Sequence, residues 1–85
     1  MANTVAGTPK SFTREIDRHP VRIDCPRGKE LSLQNIGINT LWVSFDTKNW
    51  FFVASGTSFE CRMEFDWLTV RTKIGRTRMV GMVTT

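Results

Sequence analysis

Tyrosine is absent from the 85 residues, histidine occurs once, at His19, and cysteine twice, at Cys25 and Cys61. One imidazole and two thiols cannot supply the four nitrogen or sulfur ligands of a structural zinc from a single chain, so neither a metal nor a cofactor is expected. No apolar run approaches the roughly 18 residues of a membrane span, and the N-terminus lacks a charged start followed by an apolar stretch. The expectation is a soluble chain made in the cytoplasm, with no membrane partner. Glycines 37, 56, 75 and 81 stand singly, whereas phosphate loops and dinucleotide fingerprints need several glycines leading into a helix. Catalytic groups are equally scarce. His19 precedes Pro20 with no nucleophile motif around any serine. Glu60, Glu64 and Asp66 share a strand face with Arg62, the pattern of cross-strand ion pairing rather than of a carboxylate pair at work. No catalytic residue is assigned, and the chain is expected not to be an enzyme.

What is present is a period of two. From Phe12 onward apolar residues recur at alternate positions, and Gly, Asn, Asp, Pro and Ser separate the runs, which is the spacing of an antiparallel all-β protein. Val21, Ile23 and Cys25 alternate with Arg22 and Asp24 and are followed by Pro26-Arg27-Gly28, read as a turn. Leu31 and Leu33 form the next run, and Asn35-Ile36-Gly37-Ile38-Asn39 breaks it. In the strand after it, Leu41, Val43 and Phe45 share one face while Trp42 falls on the polar one. Trp50-Phe51-Phe52-Val53 is a short apolar strand, and Phe59, Cys61, Met63 and Phe65 oppose Glu60, Arg62, Glu64 and Asp66. Leu68 and Val70 continue that pattern, and residues 78–83 close the chain. The fold class expected is a compact antiparallel β-sandwich of about seven short strands, with residues 1–10 as an extended N-terminal arm and residues 11–85 as a single domain. Both cysteines fall at inward positions and are expected as free thiols acting as small apolar side chains.

A chain of this length buries only about 60–65% of the surface of its unfolded form, so its isolated stability is modest and a homo-oligomer, a trimer among the options, is the expected support. The apolar inventory agrees. Successive residues of Trp50-Phe51-Phe52-Val53 point to opposite faces, so one core cannot take all four. Net charge is +4, and residues 1–70 balance eight cations against eight anions, leaving Arg71, Lys73, Arg76 and Arg78 as the excess. Nucleic acid is not the expected partner, because the aromatics are not interleaved with these cations along the chain.

The stretch from Leu31 to Asp46 with its Asn-x-Gly-x-Asn-Thr core, then Trp50-Phe51-Phe52-Val53, Ser55-Gly56-Thr57-Ser58-Phe59 and Leu68-Thr69-Val70, resembles small virion proteins of tailed bacteriophages. Head decoration, or cement, proteins are similar in size. The resemblance implies a non-enzymatic structural protein on the capsid surface of a virion, binding the major capsid protein, with neck, tail and fibre-base components as alternatives. On that reading Trp42, Trp50, Phe51 and Trp67 are partner-binding anchors, Arg71, Arg76 and Arg78 are electrostatic contacts, and the arm orders on binding. A carbohydrate-binding module, with Trp42 and Trp50 stacked on sugar rings, is the other expectation.

Overall fold

The structure is a computed structural model that describes residues 9–85. Alternation builds six strands: β1 (Pro9–Ile16), β2 (Val21–Asn35), β3 (Leu41–Ser44), β4 (Trp50–Val53), β5 (Ser58–Arg71) and β6 (Thr77–Thr84). All pairings are antiparallel, in the order β1-β6-β2-β5-β3-β4. Of the expected arm, Pro9 and Lys10 belong to β1, and the remaining eight positions lie outside the described residues.

The sheet becomes a sandwich because β2 and β5 bend together. The second half of β2 pairs with β6 and with the start of β5, while its first half pairs with the end of β5, which in turn carries β3 and β4. One layer is therefore β1, β6 and the inner halves of the long ribbon, and the other is the outer halves of the ribbon with β3 and β4. The expected seven strands are six, because Pro26-Arg27-Gly28 does not end a strand. The register slips there, between Asp24 and Gly28 on β2, and again between Gly28 and Glu30 opposite β5. A bulge of this kind bends a ladder and sharpens its twist without terminating it. Arg27 takes φ of 60°, and its N–H donates to the Asp66 carboxylate at 3.1 Å. Gly28 lies beneath the ring of its cross-strand partner Phe65, where a Cβ would stand 2.8 Å from a ring carbon. The same slip turns Met63 outward, to 42% exposure, where strict alternation places it in the core.

The interior is aliphatic. Ile16, Ile23, Leu31, Leu33, Leu41, Val43, Val53, Leu68, Val70, Met79 and Val83 are buried with Cys25 and Phe65. Both cysteines are free thiols, Cys25 buried and Cys61 half-buried. Buried polar side chains are few, Ser44, Thr69, Thr72, Thr77 and Asn35, and of these Asn35, 1% exposed at the end of β2, makes the widest set of bonds. Its Nδ2 donates to the carbonyls of Asn39 and Val53, both at 2.8 Å, and its Oδ1 accepts from the Thr77 hydroxyl at 2.6 Å and the Gly37 amide at 3.2 Å. Two donors and two lone pairs are the whole capacity of an amide, so nothing polar is left over. Its main chain adds Asn35 N to Thr57 O at 3.0 Å and Gly56 N to Asn35 O at 2.8 Å.

Replacing Asn35 by Ala strips the partners of these bonds while they stay buried, and the expected cost is about 2–4 kcal/mol. Thr77→Val, which keeps the shape and removes one donor, is expected to cost about 1 kcal/mol. Urea unfolding of the two variants, with an unchanged denaturant slope, checks the order.

Candidate contact face

Three of the four aromatic anchors expected from the sequence come together on the outer face of the second layer. Register places Trp42 between Arg71 of β5 and Phe52 of β4, and Ser44 between Thr69 and Trp50. Trp67 stands two residues further along β5, opposite Asp24. Period two does the rest: Leu41 and Val43 of β3 point inward, so Trp42 points out, and Phe51 and Val53 of β4 point inward, so Trp50 and Phe52 point out. Trp42 and Phe52 meet with centroids 5.6 Å apart and rings tilted by 54°. Phe52 is 63% exposed, and the tryptophans are half-buried.

Cations sit on this aromatic surface. Lys73 Nζ is 3.9 Å from the Trp42 ring centroid, and Arg22 Cζ is 4.7 Å from that of Trp67. Contacts of this kind at exposed sites contribute about 0.5–1 kcal/mol each. The separation of aromatics from cations along the chain is thus undone by the fold, which brings residues 22 and 73 to rings at 67 and 42. Beyond Trp42 a hollow of about 300 Å³ is lined by Asn39, Thr40, Trp42, Lys73 and Ile74, and Ile74 is 76% exposed on its rim.

The turn between β3 and β4 fixes Trp50. Ser44, wholly buried, accepts the Thr47 amide at 2.8 Å through its hydroxyl, and Asp46 accepts the amides of Lys48 and Asn49 at 2.9 and 2.8 Å. Thr47, with φ of 62°, offers its carbonyl to Trp50 Nε1 at 3.3 Å. The Asn49 and Lys48 donors hold the Asp46 carboxyl well below the usual carboxylate range.

Other expected site residues lie elsewhere. Phe51 faces inward, 4.4 Å from Phe59 and 5.9 Å from Phe45 between ring centroids, because its register partner is the buried Val43. Arg71 is on the face, next to Trp42. Arg76 is in the loop before β6, where its carbonyl accepts Asn39 Nδ2 at 2.7 Å, and Arg78 pairs with Glu15 in the other layer. Phe52, Arg22, Lys73 and Ile74 were not among the expected contact residues, although Lys73 was counted in the excess charge. Phe52 was available from its period-two relation to Trp50; the others depend on strand order. His19 is exposed, its amide donating to Asp17 at 2.8 Å, and Arg62 lies 3.8 Å from Glu30 across the strands.

No family model and no curated relative matches the sequence. Solved structures do match the shape. The cupin-2 domain of an XRE family transcriptional regulator from Enterobacter cloacae superposes with a TM-score of 0.71 at 9% identity, over 91% of this chain and 81% of that one. The fold is cupin-like. An HTH_3 family transcriptional regulator from Vibrio cholerae gives 0.73 at 11% identity over all of this chain and 47% of its own, and the iron(II) form of HppE with substrate gives 0.67 at 6% over 88% and 45%. The chain spans under two thirds of these last two and of the EutQ chains it also resembles.

These likenesses overturn the virion reading, because regulator cupin domains and EutQ-type proteins stand where decoration proteins were expected. With it go the capsid-surface location, the capsid partner, the neck, tail and fibre-base alternatives and the sugar-binding module. The motif misled for a physical reason: Asn35, Gly37 and Asn39 are the parts of a hydrogen-bonded loop junction, required by this turn whatever the protein does. The iron of HppE has no counterpart among these side chains. The core cluster is aliphatic apart from Cys25 and Phe65, His19 is on the surface, and no three His, Cys, Asp or Glu converge among the described residues. Positions 1–8 contain none of those residue types.

The Asp46 turn gives a pH signature. A carboxyl with a lowered folded-state pKa stabilises fully above its ordinary unfolded value of about 4 and ceases to do so as pH falls toward the folded value. Stability is therefore expected to drop on acidification below about pH 5, and Asp46→Asn to flatten that drop when urea midpoints of the two proteins are compared across pH.

Proposed function

We propose that the chain is a non-catalytic binding domain that self-associates through the tryptophan face of its second layer. The observation that carries this is the placement of Trp42, Trp50, Trp67 and Phe52 on one outward sheet face above a core already filled by aliphatic residues. Aromatics and arginine are the residues enriched at the desolvated centres of interfaces. The face is also self-complementary, as a two-fold contact requires: it holds both rings and the cations that stack on rings, so Arg22 or Lys73 of one copy can meet an indole of the other. A chain whose single small core is marginal alone gains stability from such burial.

The chemistry of the remaining groups favours binding over turnover. Burial raises the thiols of Cys25 and Cys61, which keeps them protonated and poorly nucleophilic at neutral pH. The single imidazole is exposed beside Asp17. A second reading draws on the interleaving of cations with rings on a flat sheet, which is the surface that single-stranded nucleic acids use.

Sedimentation decides between them. The wild-type chain is expected to associate at about 100 μM, and Trp42→Ala with Phe52→Ala to weaken the association by about tenfold or more at unchanged circular dichroism. A monomeric wild type at that concentration refutes self-association; binding of an oligothymidylate that falls steeply with salt then transfers the face to nucleic acid.

A further inference from the structure

The sandwich has two seams where its layers are not hydrogen-bonded to one another, and they are filled differently. One runs between the free edge of β4 and the first half of β5. Four phenylalanines close it: Phe51 on Phe59 at 4.4 Å, and Phe45 at 5.9 Å from Phe51 and 5.2 Å from Phe65. The other runs between β1, which pairs only with β6, and the first half of β2, which pairs only with β5. Its one aromatic, Phe12, is turned onto Gly81, where its ring occupies the space a side chain there would need.

A hollow of about 210 Å³ opens in this second seam, and no tryptophan lines it. Its walls are the apolar Phe12, Ile23, Cys25 and Val83, and Thr85 also borders it. Two cations stand over it. Lys10 and Arg14 lie opposite Val83 and Met79, both buried, so register puts them on the side of β1 that faces the hollow, with their own side chains exposed at its mouth. Asp24, an acidic side chain on the rim, is held by Arg22 Nε at 3.0 Å. The site thus joins an apolar hollow to two positive groups four residues apart on one strand face.

We propose that this seam binds a small organic acid with an unbranched apolar tail, the tail in the hollow and the carboxylate between Lys10 and Arg14. A cavity of about 150 Å³ accommodates benzene, so this one takes a tail of about eight carbons. The site is separate from the tryptophan face and stands or falls independently of self-association.

Calorimetric titration of the full chain with octanoate tests it. Saturable binding is expected below about 1 mM, a range ordinary for so small a ligand. Lys10→Met with Arg14→Met is expected to raise the dissociation constant for octanoate about tenfold and to leave that for octanol unchanged, since both side chains are exposed and the hollow remains. Val83→Phe, which fills the hollow, is expected to remove binding of both. In a Cys61→Ser background, octanoate is expected to slow alkylation of Cys25. No saturation by octanoate, or equal affinity in the Lys10 and Arg14 variant, overturns the proposal; the two cations then serve only to keep an edge strand from pairing with another chain.

Discussion

The bend in the β2–β5 ribbon is the constraint from which the rest of the structure follows. Fifteen residues of continuous strand span about 50 Å, and a flat ribbon of that length leaves both of its faces in water. Two features break it: the Arg27 amide held by Asp66 across 39 residues of chain, and the close approach of Gly28 to the Phe65 ring. With the bend in place, Leu31 and Leu33 from one arm and Ile23 from the other face the same interior, and Phe65 and Leu68, only three positions apart on β5, are both buried. Strict alternation places residues three apart on opposite faces, so it is the bend that allows both to be inside.

The alternation itself was legible. It placed Leu41 and Val43 inward and Trp42 outward, and it put Ile23, Cys25, Leu31 and Leu33 of β2 and Phe65, Leu68 and Val70 of β5 on the inner side. Pro26-Arg27-Gly28 was not legible, because the residues that terminate a strand and those that bulge it are the same; the difference lies in Asp66, far away in sequence. Met63 was misplaced for the same reason. The tryptophan face was half legible. That Trp42, Trp50 and Trp67 each point outward is a matter of parity, but their meeting requires the order β2-β5-β3-β4, and no local pattern encodes that order. Arg22 reaches Trp67 only because β2 and β5 are neighbours.

Asn35 shows how one polar residue is accommodated in an aliphatic core. It ties the end of β2 to the loop after it, to the end of β4, to the turn before β5 and to the start of β6. A hydrophobic residue of similar volume would fill the space without specifying which backbone groups meet there. Gly37 completes the junction, since any side chain at that position collides with the Thr77 side chain and backbone. The sequence pattern around these residues is therefore a requirement of geometry, and patterns of that origin recur in unrelated proteins that need the same turn.

The division between interior and surface sets where binding takes place. A protein with bound iron(II) and substrate is among the structures this chain resembles. Here Leu31, Leu33, Leu41, Val43, Leu68 and Val70 occupy the interior, and the imidazole and most carboxylates are on the outer surface. Close aliphatic packing leaves these positions to the stability of the fold. The two proposed contact regions lie where the core leaves surface open: the outer sheet face, where rings and cations are held in register by β-pairing, and the seam beside β1, which has no phenylalanine cluster like that of the other seam. Both depend on the same bend, one because the shift of phase along β5 turns Trp67 outward beside β3 and β4, the other because it draws the first half of β2 away from β1.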